Sequence, residues 1–132
     1  MPEMGWTSEE IYLLAERGYG FYRQGHYEEA GIVFEALTEL DPMNPYCRTA
    51  LAAVCLAMGQ PQRAVNELSF VLNRNPADHD ARARRCEAYC DLKNWAEARQ
   101  DLAILQRNGE NNHARRLSWR MEAGRRLTVG GS

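Results

Sequence analysis

The chain has 132 residues, 45% of them apolar and 26% charged, with a formal net charge of −2. That length supports one domain with a real core, and the apolar fraction is too high for a disordered tail. The longest unbroken apolar run, Ala50 to Met58, is far short of the roughly 20 residues of a membrane helix, and no signal-peptide pattern opens the chain, so a cytoplasmic protein without membrane insertion is expected.

Thr7 and Glu10 stand at capping-box spacing and open a helix. Its apolar positions Ile11, Leu14, Ala15, Tyr19 and Tyr22 keep a helical rhythm until Gly25 stops it. A second helix runs through Ala30, Val33, Phe34, Leu37 and Leu40 and ends at Asp41-Pro42. Asn44-Pro45 supplies a cap and a first-turn proline for the third helix, which Gly59 stops, and Pro61 starts the fourth by the same logic. Asp78 and Asn94 are the expected caps of the fifth and sixth. A seventh helix is expected over 113–127, capped by Asn112, with Leu117, Met121 and Leu127 on one side, before a flexible end at Val129-Gly130-Gly131-Ser132. No strand signal competes.

Charge is unevenly spread along these elements. Residues 1–44 sum to −7 and residues 113–132 to +4, the latter from Arg115, Arg116, Arg120, Arg125 and Arg126 against Glu122. The arginines read as the outer face of a capping helix that needs no partner; the competing reading is a site for an anionic surface. Cys47, Cys55, Cys86 and Cys90 lack paired zinc spacing, and although Cys86 and Cys90 stack one turn apart, all four read as small buried thiols. No metal or other cofactor is expected.

A step of 34 residues links the helices. It relates Gly25, Gly59 and Lys93; Ala30, Ala64 and Ala98; Phe34, Leu68 and Leu102; and Leu37, Val71 and Leu105, while Pro42 pairs with Pro76 and Glu110 stands in a third proline's place. Tyr27, Pro61 and Trp95 open the second half of each unit. This 34-residue helical hairpin resembles the tetratricopeptide repeat, with units at about 11–44, 45–78 and 79–112. Its small eighth position is Gly18, Ala52 and Cys86, and its eleventh Phe21, Cys55 and Tyr89, while Arg17 and Arg85 occupy a seventh position where leucine is usual. The resemblance implies an all-α, right-handed superhelical solenoid of three hairpins in a single domain, finished by the C-terminal capping helix.

In such arrays the first helix of each unit lines a concave groove through its second, fifth, ninth and twelfth positions. Those are Tyr12, Ala15, Tyr19 and Tyr22, then Tyr46, Thr49, Ala53 and Leu56, then Asp80, Ala83, Glu87 and Cys90. The expected groove is aromatic in its first half and polar near Arg84 and Glu87. It suits an extended peptide with spaced apolar anchors, Ala15 and Ala53 leaving room between the rings. The competing reading packs the tyrosines between units. If the groove reading holds, replacing Tyr19 and Tyr22 by alanine removes binding and leaves helicity nearly intact. The five-residue clamp that similar co-chaperones use for acidic tails would fall on Ala15, Tyr19, Ala50, Asp80 and Arg84, of which only Arg84 fits.

The stretches YRQGHYEEAGIVFEALTELDP (22–42), LAAVCLAMGQPQRAV (51–65) and RCEAYCDLKNWAEA (85–98) are similar to the class II chaperones of bacterial type III secretion. That resemblance implies a protein or peptide client, a segment of a pore-forming translocator held until export. The alternative is a generic adaptor or scaffold subunit within a larger assembly. A homodimer stays open. Catalytic motifs are missing from the sequence, and the acidic pairs Glu9-Glu10 and Glu28-Glu29 read as helix starts, so an enzyme is not expected. Nucleic-acid binding is not expected either, since the basic residues gather in one helix with Trp119 as the sole stacking partner.

Overall fold

The computed structural model describes residues 5–130, with side chains through residue 124. Seven helices carry its regular structure: α1 (Ser8–Arg23), α2 (Tyr27–Leu40), α3 (Pro45–Ala57), α4 (Pro61–Arg74), α5 (His79–Asp91), α6 (Trp95–Arg107) and α7 (Asn111–Gly130). No strand occurs among the described residues, and the fold is the all-α helical repeat the sequence predicts. The side chains of Arg125, Arg126, Leu127 and Val129, and residues Gly131 and Ser132, lie outside the described residues. The chain divides into two compact units, one ending at Gln60 and the next starting at Pro61.

In the first unit the capping box forms as expected. The Glu10 amide donates to Thr7 Oγ1 at 3.1 Å, and the Thr7 amide donates to Glu10 Oε1 at 2.9 Å. These bonds satisfy donors that a helix start would leave orphaned, and they hold the Glu10 carboxyl below its ordinary pKa. Close approach of α1 to α2 depends on Gly18, where a Cβ would sit 2.8 Å from the ring of Phe34. Phe34, Leu37 and Ala30 are fully buried beneath α1. The third helix starts as read: Asn44 Oδ1 accepts the Tyr46 amide at 2.9 Å, and Pro45 takes the first turn, where no amide hydrogen is needed.

The second unit begins with α4, whose Ala64, Val65, Leu68, Val71 and Leu72 are buried. Asp78 caps α5, its Oδ1 accepting the Ala81 amide at 3.0 Å. Lys93 continues the 34-residue step of Gly25 and Gly59 in backbone as well as in position: its φ is +58°, beside +81° and +72° for the glycines. Asn94 fills the N-cap position of α6 but makes no side-chain cap bond. The last helix starts earlier than expected, at Asn111, because the Glu110 carbonyl already accepts the Ala114 amide at 2.9 Å. Ala114, Leu117 and Met121 then pack into one core with Ala83, Cys86, Cys90, Ala98, Leu102 and Leu105.

Two charged features depart from the sequence reading. Asp101 is buried at 1% exposure and accepts from Arg82 Nη1 at 3.1 Å, Arg85 Nε at 2.9 Å and Arg85 Nη2 at 2.7 Å. Its carboxylate holds the Arg85 guanidinium above the ordinary arginine range, so the unusual seventh-position arginine is matched by an unusual acid on the facing helix. The arginines of α7 are also not all outward. Arg116 and Arg120 reach Glu87 at 3.8 and 3.4 Å, Arg120 donates to Asp91, and His113 meets Asp80 at 3.2 Å. The apolar stripe Ala114–Leu117–Met121 turns that side of α7 toward α5, which brings the neighbouring cations onto the carboxylates of α5.

A candidate peptide-binding face on the first unit

Eight of the ten expected groove residues belong to the first unit. They sort into three kinds of environment. Tyr12 and Tyr46 are exposed, at 62% and 52%. Tyr19 and Tyr22 are half-buried: the Tyr19 ring meets Phe34 edge-on at 5.1 Å and Tyr46 at 5.5 Å, and Tyr22 lies 5.6 Å from Tyr27. Ala15 and Ala53 are buried. Leu56 is half-buried, and so is Thr49, whose Oγ1 is buried with no hydrogen-bond partner among the described residues. Tyr19 therefore serves the core as much as the surface, so the double alanine change at Tyr19 and Tyr22 does not isolate binding from packing. Of the four tyrosines, Tyr12 and Tyr46 are the exposed ones, Tyr46 keeping its edge contact with Tyr19.

Between these two tyrosines the structure holds a cavity of about 220 Å³, lined by Ser8, Ile11, Tyr12, Ala15, Asp41, Asn44, Tyr46 and Cys47. Its geometry follows from three caps. The capping box starts α1 at Ser8, so Ser8, Ile11, Tyr12 and Ala15 fall on one helical face. Asp41 ends α2, and its Oδ2 accepts from Asn44 Nδ2 at 3.2 Å. Asn44 in turn starts α3, which delivers Tyr46 and Cys47. The Cys47 thiol is pushed up in pKa, first by burial and then by the nearby Asp41 carboxylate. Asp41, Asn44 and Cys47 escaped the sequence reading of the groove because they sit at helix ends rather than on the repeat's groove positions.

The second unit holds the other two expected residues, Arg84 and Glu87, both half-buried. Glu87 is already engaged by Arg116 and Arg120 of α7. Cys90, one turn along α5, and then burial raise the pKa of the Cys86 thiol, while Cys86 lowers that of Cys90. The Cys86 thiol donates to the Ala98 carbonyl at 3.3 Å. No group of three or more His, Cys, Asp or Glu among the described residues could hold a metal ion, and no helix among them is long and apolar enough to cross a membrane.

A sequence model of the tetratricopeptide repeat matches residues 56–117. The TPR repeat-containing thioredoxin TTL4 of Arabidopsis thaliana is 31% identical over 97 residues, covering 74% of this chain and 14% of that protein. The human FK506-binding protein-like protein is 37% identical over 107 residues, covering 73% and 31%. The chain thus spans less than a third of the length of these curated relatives. Among solved structures, PcrH from Pseudomonas aeruginosa superposes with a TM-score of 0.80 at 18% identity, covering 91% of this chain and 95% of PcrH, a likeness of fold. The Yersinia enterocolitica type III secretion chaperone SycD, solved in complex with a peptide of the translocator YopD, superposes with a TM-score of 0.79 at 25% identity, covering 90% and 95%. By repeat pattern and by fold, this chain is a tetratricopeptide-repeat protein.

Proposed function

We propose that this chain is a non-enzymatic protein-binding module that holds an extended client segment on the Tyr12–Tyr46 face of its first unit, as a secretion-type chaperone holds its translocator. The observation that carries this reading is the cavity flanked by two exposed tyrosines, one from α1 and one from α3. Tyrosine offers a large rigid contact at small entropic cost, and a cavity beside it gives a client side chain somewhere to go. The likeness to SycD, whose structure holds a translocator peptide, supports the same direction. The adaptor reading draws on a different observation: the curated relatives carry the matching segment as a minor part of much longer proteins.

A paired pull-down from the source cells, wild type against Tyr12→Ala/Tyr46→Ala, separates the two. The chaperone reading expects one dominant partner, lost in the double variant and aggregating when expressed alone. Several subunits of one assembly, retained by the variant, would move the binding surface elsewhere and favour the adaptor.

A further inference from the structure

The cavity also carries a charge signature, and the inference drawn from it rests on the reading of this face as a client-binding one. Ile11, Ala15 and Cys47 give it apolar walls, Tyr12 and Tyr46 flank it, and Asp41, Asn44 and Ser8 supply its polar groups. None of the lining residues is basic. An ionised carboxylate offers about four acceptor positions, and Asn44 Nδ2 is the donor the structure places on Asp41. The field of Asp41 reaches into the cavity wall, since it acts with burial to raise the Cys47 thiol. Residues 1–60 carry nine acidic and three basic side chains, and one of the three, Arg48, donates its Nε to the Pro42 carbonyl at 2.8 Å.

We infer that the occupant of this cavity is a lysine or arginine side chain of the client. Its methylene stem lies along Ile11 and Ala15, and its charged head meets the Asp41 carboxylate between the two tyrosine rings. Long cationic side chains bury their stems against apolar walls while the head stays with polar partners. Tyrosine faces attract cations, and a carboxylate makes the stronger, charge-assisted hydrogen bond. At about 220 Å³ the space takes one side chain and is smaller than the usual cofactor or drug-sized pocket of roughly 300–1,000 Å³. An apolar occupant would shield Asp41 from water without giving it a partner, which costs free energy. An acidic occupant would be repelled.

The client need not be identified before the test. A random 12-residue peptide library displayed on phage is selected against the full chain, and the best peptide is synthesised for fluorescence anisotropy. The selected peptides are expected to share one lysine or arginine. Changing that residue to methionine is expected to weaken binding about tenfold at low salt and less at high salt, and changing it to glutamate more. Asp41→Asn keeps the bond with Asn44, and its fold is checked by circular dichroism; it is expected to erase the preference for a cation, and Asp41→Glu to retain it. Methionine binding as tightly as lysine would make the cavity an apolar anchor site, overturning the inference while client binding stands. Failure to recover any peptide whose binding needs Tyr12 and Tyr46 would overturn both. Concentration-dependent self-association in sedimentation, lost in Asp41→Asn, would assign the cavity to an arginine of a second copy and overturn the client assignment.

Discussion

Removing Asp101 tests how the second unit tolerates its internal charges. The carboxylate is buried between two guanidinium groups whose side chains are themselves 8% and 19% exposed, and it accepts three hydrogen bonds from them. Asp101→Ala leaves both cations in place without their anion. Deleting one partner of a buried pair costs about 3–5 kcal/mol, because the remaining charge stays desolvated and uncompensated. Domains of this kind are stable by about 5–15 kcal/mol in total, so the single change should remove a large fraction of the stability and lower Tm by roughly 10–15 °C. Urea unfolding followed by circular dichroism at 222 nm measures the loss. The triple variant Asp101→Leu/Arg82→Met/Arg85→Leu, which removes all three charges together, should return to within about 1–2 kcal/mol of wild type or exceed it. A loss below about 1 kcal/mol for Asp101→Ala, or a triple variant no more stable than the single one, would refute the assignment of Asp101 as the counter-charge of both arginines.

Other expectations follow from the backbone. Gly18→Ala should destabilise by about 1–2 kcal/mol, since the new Cβ meets Phe34 at 2.8 Å and the overpacking outweighs the better helix propensity of alanine. Gly20→Ala, on the same helix with nothing within 4 Å of its Cβ, should stabilise by about 0.5–1 kcal/mol; thermal melts of the pair decide, and equal effects would deny the close approach of α1 and α2. Lys93→Gly should stabilise by about 0.5–1 kcal/mol in urea unfolding, because its φ of +58° is one that side chains other than glycine adopt at a cost. Glu10 has a folded-state pKa below its unfolded value, so the support it gives α1 is present above the unfolded pKa and fades as pH falls through the folded one. A titration of Glu10 and the Thr7 amide by NMR should show a shared midpoint below that of an unperturbed glutamate; a midpoint at or above the unperturbed value would remove the capping box from the account.

What the sequence made legible depended on where the information was local. Helix starts at Thr7, Asn44 and Asp78 are written in residues that hydrogen-bond their own first turn, and the 34-residue step carries through to the backbone of Lys93. Side-chain partners across helices were harder to read. Asp101 lies among Ala98, Leu102 and Leu105 on the buried stripe of α6, and Arg85 stands where the repeat usually has leucine. The two anomalies were visible singly, but their pairing, 16 residues apart, appears only when α5 packs on α6. The arginines of α7 look outward in the sequence, where nothing pairs them with α5; the packing of Leu117 and Met121 on α5 brings Arg116 and Arg120 onto Glu87. On the candidate face, the repeat register located Tyr12 and Tyr46 but could not separate them from Ala15 and Ala53, which the core absorbs, nor find Asp41 at the helix junction.

The proposed client site is the tyrosine face of the first unit. Its most direct measurement is the affinity of the captured client's binding segment for wild type and for Tyr12→Ala/Tyr46→Ala, with helicity compared by circular dichroism. Both rings are exposed, so unchanged helicity is expected with a loss of about 30- to 150-fold, the scale of two aromatic contacts worth roughly 1–1.5 kcal/mol each. Undiminished affinity in a normally folded double variant would contradict that assignment.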